Sequence, residues 1–327
     1  MQTAFTRQAG ISVPLICGPM YPCSNPELVA AVSAAGGLGV IQPLSLTYVH
    51  GYEFRAGLRH IRSLTPRPVG FNALIEASSR RYLERMRGWI DIALEEGVRF
   101  FITSLGDPRW VCDRVHAAGG IVYHDVTEAR WARKGVDGGA DGLIAVNANA
   151  GGHAGSRSAE ALLEELRPFG LPVVAAGGVG APQDFARLIN MGYTAVQLGT
   201  RFIATTECSA SDAYKQAIVD ASADDIVLTE RLSGVPVAVI CNAYVERLGT
   251  RAGPLARWML RGRRTKHWMR MIYTLRSFRS LKKSLSSTDT SADYWQAGKS
   301  VQGIDAVLPA AEIVRAFAGA LPDAGSI

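Results

Sequence analysis

The sequence predicts an α/β protein: a (β/α)8 TIM barrel carrying a small, mainly helical inserted cap domain. Three observations predict it. Short, almost uniformly apolar runs alternate eight times with longer stretches of helical periodicity, the pattern of parallel strands buried on both faces between crossover helices. Glycine-rich or polar clusters follow the ends of those runs, where such a barrel carries its site. A chain of 327 residues, 48% of them hydrophobic, is long enough to bury one large core and still bear an appendage.

Each element has its own signal. The first strand, 13–17, reads Val-Pro-Leu-Ile-Cys and runs into the loop Gly18-Pro19-Met20. A helix over 26–35 follows, with Asn25 as its N-cap and Gly36-Gly37 as its stop. The apolar 38–41 is the second strand, helical periodicity covers 52–64, and 68–73 is the third strand, ending at Asn72 and Ala73. A helix over 82–96, a fourth strand over 98–103, a helix over 110–118 and a fifth strand over 120–124 continue the pattern. A helix over 128–135 and the sixth strand, 142–146, come next, then a helix over 159–166 and the seventh strand, 172–176. Gly177-Gly178-Val179 opens a helix over 184–191, and 194–198 is the eighth strand. A doubly wound open sheet is the rival, but no Gly-x-Gly-x-x-Gly follows the first strand and eight units suit closure.

The alternation pauses after Arg201-Phe202-Ile203-Ala204. Helical periodicity over 210–221 and a strand-like run over 235–241 lead into a basic stretch, and a helix that could close the barrel returns only over 309–318. The barrel is therefore expected over 1–207 and 301–327, with 208–300 inserted as a cap over its mouth. The serine-rich 284–291 reads as a mobile loop.

Charge is unevenly placed. The formal net charge is +6, yet eleven Lys and Arg and no Asp or Glu lie in 251–283, leaving 24 basic against 29 acidic residues elsewhere. There Trp268, Met271, Ile272, Leu275, Phe278 and Leu281 recur at helical steps with Arg270, Arg276, Arg279 and Lys282 between them. Such a stripe suits an acidic carrier protein, an anionic membrane surface, or packing on the barrel with the arginines solvated. Basicity confined to one stretch without a binding motif points away from nucleic acid. The N-terminus lacks the charged-then-apolar order of a secretory signal and no apolar run is long enough to cross a bilayer, so a cytoplasmic location is expected. Cys17, Cys23, Cys112, Cys208 and Cys241 are odd in number and widely spread, the pattern of structural thiols, with Cys17 and Cys23 flanking a site loop. No metal is expected, because His50, His60, His116 and His267 have no ligand partners at suitable spacing.

The richest cluster follows the sixth strand: Asn147-Ala148-Asn149-Ala150-Gly151-Gly152-His153-Ala154-Gly155. Small residues let a backbone approach a ligand, and one imidazole stands among them. Gly177-Gly178 and Gly199-Thr200 end strands seven and eight, whose loops commonly seat a phosphate in this fold. Asn72, His124 and Gln197 are read on the same rim, each equally compatible with a turn or a satisfied core polar group.

Taken in order, Gly18-Pro19-Met20, Gly70-Phe71-Asn72, Ala150-Gly151-Gly152-His153-Ala154-Gly155, Ala176-Gly177-Gly178-Val179, Gly199-Thr200-Arg201-Phe202 with Thr205-x-Glu207, and Tyr294-Trp295-Gln296-Ala297-Gly298-Lys299 resemble the nitronate monooxygenase (2-nitropropane dioxygenase) family. The FMN-dependent enoyl-acyl-carrier-protein reductases share these blocks. The resemblance implies FMN as cofactor and assigns roles. Gly18, Pro19, Met20 and Asn72 would border the flavin ring, His124 and Gln197 would lie along the ribityl chain, and Ala150, Gly151 and Gly152 would form the cofactor edge. Gly178, Gly199 and Thr200 would hold the phosphate, with Gly177 and Leu198 also touching the cofactor, and His153 would face the substrate as the catalytic residue. Two departures stand out: Asn147 and Asn149 where relatives often carry an acid, and Ala154 where they often carry Arg.

Two enzymes follow from this resemblance. One oxidises alkyl nitronates with dioxygen to a carbonyl compound and nitrite; the other is an enoyl-thioester reductase drawing electrons from NADH or NADPH, for which the basic stretch would steer an acidic carrier. A flavin-free binding protein on the same fold is the third reading, and a yellow preparation would argue against it.

Overall fold

The structure, a computed structural model, describes residues 2–76, 79–232, 234–251, 282, 285 and 294–321. Eight parallel strands close into a barrel in chain order: β1 Leu15–Cys17, β2 Leu38–Ile41, β3 Val69–Ile75, β4 Phe100–Leu105, β5 Ile121–Val126, β6 Gly142–Val146, β7 Val173–Ala176 and β8 Ala195–Leu198. Ile16 of β1 lies opposite both Leu38 of β2 and Gln197 of β8, which closes the ring. The expected (β/α)8 architecture forms.

Strand ends differ from the expectation in a consequential way. β3, β4 and β5 each run two residues further, because the ladder supplies partners after the apolar pattern stops: Ile75 faces Leu105, and Val126 faces Ala145. β1 begins only after Pro14, which has no N–H to give to a ladder.

Side chains alternate between the lumen and the outer layer. Ile16, Leu38, Val40, Phe100, Ile102, Tyr123, Ile144, Val174 and Ala195 fill the lumen. Leu15, Leu143, Val173 and Val196 face one part of the helical layer, and Phe71, Phe101 and Val122 the rest. Burying one such side chain stabilises the fold by about 1.5–3 kcal/mol.

The helices that follow the strands are α2 Pro26–Ala34, α3 Phe54–Leu64, α4 Arg80–Glu95, α5 Arg109–Ala117, α6 Ala129–Asp137, α7 Ala159–Leu166 and α8 Pro182–Met191. α2 lies directly on β2: a Cβ on Gly39 would sit 2.1 Å from the Val29 carbonyl oxygen, so only glycine fits there. Asn25 stands at the N-cap of α2 but its side chain does not cap the helix. Its amide is used elsewhere, donating to the Glu207 carbonyl at 2.9 Å and accepting from Ser209 N–H at 3.2 Å.

One helix was not legible. α1, Ala4–Ala9, plugs the N-terminal end of the barrel, where the buried Phe5 ring meets Phe100 and Tyr123 edge-on at 5.4 and 5.7 Å. The Tyr123 hydroxyl donates to Gln8 Oε1 at 2.6 Å. At six residues α1 is too short to show a period, and the reciprocal Thr3–Thr6 cap holds it.

After β8 come a short helix α9 (Thr200–Ile203), α10 (Asp212–Asp220), an antiparallel pair β9 (Ile226–Thr229) and β10 (Val237–Ile240), and α11 (Ala243–Leu248). The closing helix, Ala310–Gly319, packs between α2 and α8. Glu207 receives its first N–H, from Ala310, at 2.9 and 3.1 Å, and Arg201 donates to the Ala204 and Ala306 carbonyls at 2.8 and 2.6 Å. These contacts explain the Gly-Thr-Arg-Phe and Thr-x-Glu block: it ties the returning chain to the barrel. The readings made on 251–283 and 284–291 lie outside the described residues, save at Arg251, Lys282 and Leu285, where Lys282 Nζ donates to the Tyr48 carbonyl at 2.6 Å.

Candidate active site

The C-terminal mouth of the barrel is polar where the lumen below it is apolar. Alternation carries Asn72 on β3, Ser104 on β4, Asp125 on β5 and Gln197 on β8 to the inner face, one step above the apolar layer. Asn72 is 5% exposed. Gln197 lies beside Gly18, where an added Cβ would come within 2.9 Å of its side chain, and its Oε1 is buried without a hydrogen-bond partner. Gly18 is seated by its N–H, which donates to the Leu198 carbonyl at 2.9 Å. The next residues of that loop are pinned too, since Met20 N–H donates to Ser24 Oγ at 2.9 Å and Pro19 sits half-buried between them.

The rims of β6 and β7 are joined by Asn147. Its amide donates to the Gly177 carbonyl at 2.9 Å and its Oδ1 receives Asn149 N–H at 2.8 Å. Gly177 and Gly178 hold φ of +113° and +77°, and a Cβ on Gly177 would lie 2.5 Å from Ala150 N. The returning chain seals the other side: Gly298 N–H donates to Thr200 Oγ1 at 3.0 Å, Lys299 N–H donates to the Asn149 carbonyl at 3.0 Å, and a Cβ on Gly298 would lie 2.5 Å from Gly151 N. Gly152 receives Ala238 N–H at 2.8 Å, which ties β10 to this loop. Asn149, Gly178, Lys299 and Gly303 line a cavity of about 450 Å3 at this rim.

His153 follows on the lip. Its side chain stays open to solvent on one side, while the protein around it desolvates the imidazole enough to hold its pKa below the ordinary value. Its neutral form is thereby favoured over the charged one.

The structure therefore gathers Gly18, Pro19, Met20, Asn72, Ala150, Gly151, Gly152, His153, Gly177, Gly178, Gln197, Gly199 and Thr200 about one mouth. Two expected residues stand apart. His124 points outward, against Gly135 of α6, with Nδ1 2.9 Å from Thr103 Oγ1, and burial pushes its pKa down to about 4. Leu198 also turns its side chain to the outer core and offers the mouth only backbone. Cys17 and Cys23 are buried away from the opening, and burial raises the Cys17 thiol.

The residue that sequence reading missed is Asp125. One position beyond His124, it faces inward; its Oδ1 is enclosed and meets no hydrogen-bond partner, and burial alone pushes its pKa up to about 7. The alternation carries this signal only once the structure shows that Tyr123 fills the lumen, which makes Asp125 the next inward position.

Among the described residues no group of three or more His, Cys, Asp or Glu could hold a metal ion, and no helix is long and apolar enough to cross a membrane. A closed parallel barrel with a polar, glycine-cradled mouth and an imidazole on its lip has the form of a barrel enzyme with its site at the C-terminal ends of the strands. The family model for nitronate monooxygenase matches residues 2–318, and the chain belongs to that family of flavin-dependent oxidoreductases.

Among curated relatives it is 33% identical over 277 residues to nitronate monooxygenase of Pseudomonas aeruginosa, covering 72% of this chain and 78% of that one. It is 30% identical over 258 residues to (3aS,4S,5R,7aS)-5-hydroxy-7a-methyl-1-oxo-octahydro-1H-indene-4-carboxyl-CoA dehydrogenase of Mycobacterium tuberculosis, covering 77% and 70%. Of solved structures, FabK from Thermotoga maritima superposes with a TM-score of 0.80 at 26% identity, covering 98% of this chain and 96% of that one. A nitroalkane oxidase from Streptomyces ansochromogenes, at TM-score 0.75 and 24% identity over 98% of both chains, shares the fold.

Proposed function

We propose that the mouth holds FMN and that the chain oxidises alkyl nitronates with dioxygen to a carbonyl compound and nitrite. The residues present fit that cofactor. The buried, partnerless Gln197 Oε1 is an acceptor awaiting a donor such as a heterocycle N–H, and Asn72 offers an amide on the same face. Gly18 leaves room beside Gln197, and the loops at Gly177-Gly178 and Gly199-Thr200 suit a phosphate tail approached by main-chain N–H groups. FMN, when bound, accepts electrons from the substrate and passes them to dioxygen.

The observation that supports the substrate assignment is the place of His153 on the lip of the glycine-lined mouth, where the surrounding protein desolvates the imidazole and lowers its pKa. A nitronate arrives already deprotonated, so it needs no base; a ring N–H of His153 can hydrogen-bond a nitro oxygen and hold the carbon over the flavin. The described part of 208–300 that includes β10, fastened to the Gly152 loop, serves in this reading to exclude water from the mouth.

A second reading, reduction or oxidation of an acyl thioester with NADH or NADPH as partner, is favoured by Asp125. The fraction of this carboxyl that is ionised near its pKa of about 7 repels an anionic nitronate and not a neutral thioester. The relative named for a carboxyl-CoA substrate and the FabK neighbour accord with it.

The test is product analysis with purified protein supplied with FMN. Propionate 3-nitronate or ethylnitronate with dioxygen should give nitrite and carbonyl in equal amounts, strongly diminished in His153→Ala. Flavin-linked oxidation of NADH or NADPH that depends on an enoyl thioester, with no nitrite from nitronates, would replace the first reading by the second.

A further inference from the structure

Asp125 has a place at the mouth to which neither reading assigns a chemical step. On β5 the lumen is filled by Tyr123, whose hydroxyl is engaged by Gln8 at the closed end, so the next inward side chain is the first polar group met at the open end. Across the ladders Asp125 lies opposite Ile144 of β6 and, by continuation of the β4–β5 register, near Ser104, neither of them a charge. The surrounding loops carry, among other titratable groups, Tyr21 after β1, His50 after β2, Glu76 after β3, Asp107 after β4, Glu128 after β5, and His153 and Arg157 after β6. None of them shifts the carboxyl, whose only perturbation is burial. A carboxyl facing a ligand site with one oxygen enclosed and unpartnered is disfavoured in its charged form until a proton or a donor reaches it.

Resting on the reading that the mouth holds FMN, we propose that Asp125 is the proton-exchanging group beside that cofactor, taking up a proton when the flavin receives an electron pair and releasing it on reoxidation. Negative charge added to the flavin raises the free energy of a neighbouring carboxylate, so the carboxylate is protonated from bulk water at the mouth. The electron pair comes from the reductant. At Asp125 one O–H bond forms on reduction and the same bond breaks when dioxygen takes the electrons away. The proton at the carboxyl thereby offsets one of the two negative charges that the electron pair brings to the mouth, which an amide at this position could not do.

The test uses the full-length, FMN-loaded protein at pH 8, where the oxidised state carries Asp125 largely ionised, reduced anaerobically with dithionite and followed by reduced-minus-oxidised infrared difference spectroscopy. Wild type should gain a protonated-carboxyl C=O band that shifts when aspartate is labelled with carbon-13 at its carboxyl. Asp125→Asn should bind FMN with unchanged flavin absorbance, lose that band, and take up about one proton fewer per flavin, read with an indicator dye in weak buffer. A wild-type spectrum without a label-sensitive carboxyl band overturns the proposal whatever the variant does. The same band and the same proton uptake in Asp125→Asn overturn it as well. A protein that binds no flavin at all removes both this proposal and the reading beneath it, and flavin absorbance distinguishes that case at the outset.

Discussion

Gly177→Ala tests how the β6 and β7 rims are joined. The native φ is +113°, and the new Cβ would lie 2.5 Å from Ala150 N, 2.6 Å from Asn147 Oδ1 and 2.7 Å from Ala150 Cα, all held by backbone or by a buried amide. Left-handed backbone costs an L-residue about 1–2 kcal/mol, and overpacking a rigid site adds about 1–3 kcal/mol. Gly170→Ala separates the two contributions, because Gly170 has φ of +70° with nothing within 4 Å of an added Cβ. It should lose only the backbone share, about 1–2 kcal/mol. Urea unfolding of both variants measures the difference, and flavin absorbance reads occupancy in parallel. Gly177→Ala should lose at least about 1 kcal/mol more than Gly170→Ala and bind less FMN, with Gly170→Ala fully loaded. Equal losses, or full flavin content in Gly177→Ala, would refute the close-approach argument.

Other outcomes follow from the same geometry. Gln197→Met removes a buried acceptor that the protein alone leaves unpaired, so unfolding free energy without FMN should hold or rise while FMN binding weakens roughly tenfold or more, as fluorescence titration would report. His153→Ala should keep flavin content and lower kcat with nitronate. In wild type, activity should persist on acidification below the ordinary histidine range, because the folded imidazole is harder to protonate. His124 and Asp125 oppose one another in stability. The His124 pKa falls from 6.5 to about 4 on folding, so its contribution is complete above pH 6.5 and up to about 3 kcal/mol is lost as pH falls to 4. Asp125 rises from 3.8 to about 7, so its contribution is complete below pH 3.8 and is lost as pH rises toward 7. Relative to wild type, His124→Leu should therefore gain stability on acidification from pH 7 to pH 4 and Asp125→Asn should lose it, checked by urea unfolding across that range.

Much of the barrel was legible because its strands are buried on both faces and their apolar runs stand out from the helices between them. β2 and β6 fall on the expected residues, 38–41 and 142–146. What a two-sided apolar run cannot show is which alternate side chain faces the lumen. That ambiguity is why His124 was read on the rim and Asp125 overlooked, although the two are adjacent. The glycines of the mouth were legible as a group, whereas their reasons were not. Gly151 and Gly298 are distant in sequence and meet backbone to backbone, a contact that no local pattern encodes. Asn147, marked only as a departure from relatives, ties two rims through its amide. The short α1 carried no period, and its place depends on Phe5 finding Phe100 and Tyr123.

The measurement that tests the central claim most directly is anaerobic stopped-flow reduction of the FMN-loaded protein, followed at the flavin absorbance band, with ethylnitronate in one syringe and NADH or NADPH in another. Bleaching by the nitronate, slowed in His153→Ala at unchanged flavin content, is the result predicted here. Bleaching by the nicotinamide with none by the nitronate would contradict it and leave the acyl-thioester enzyme in its place.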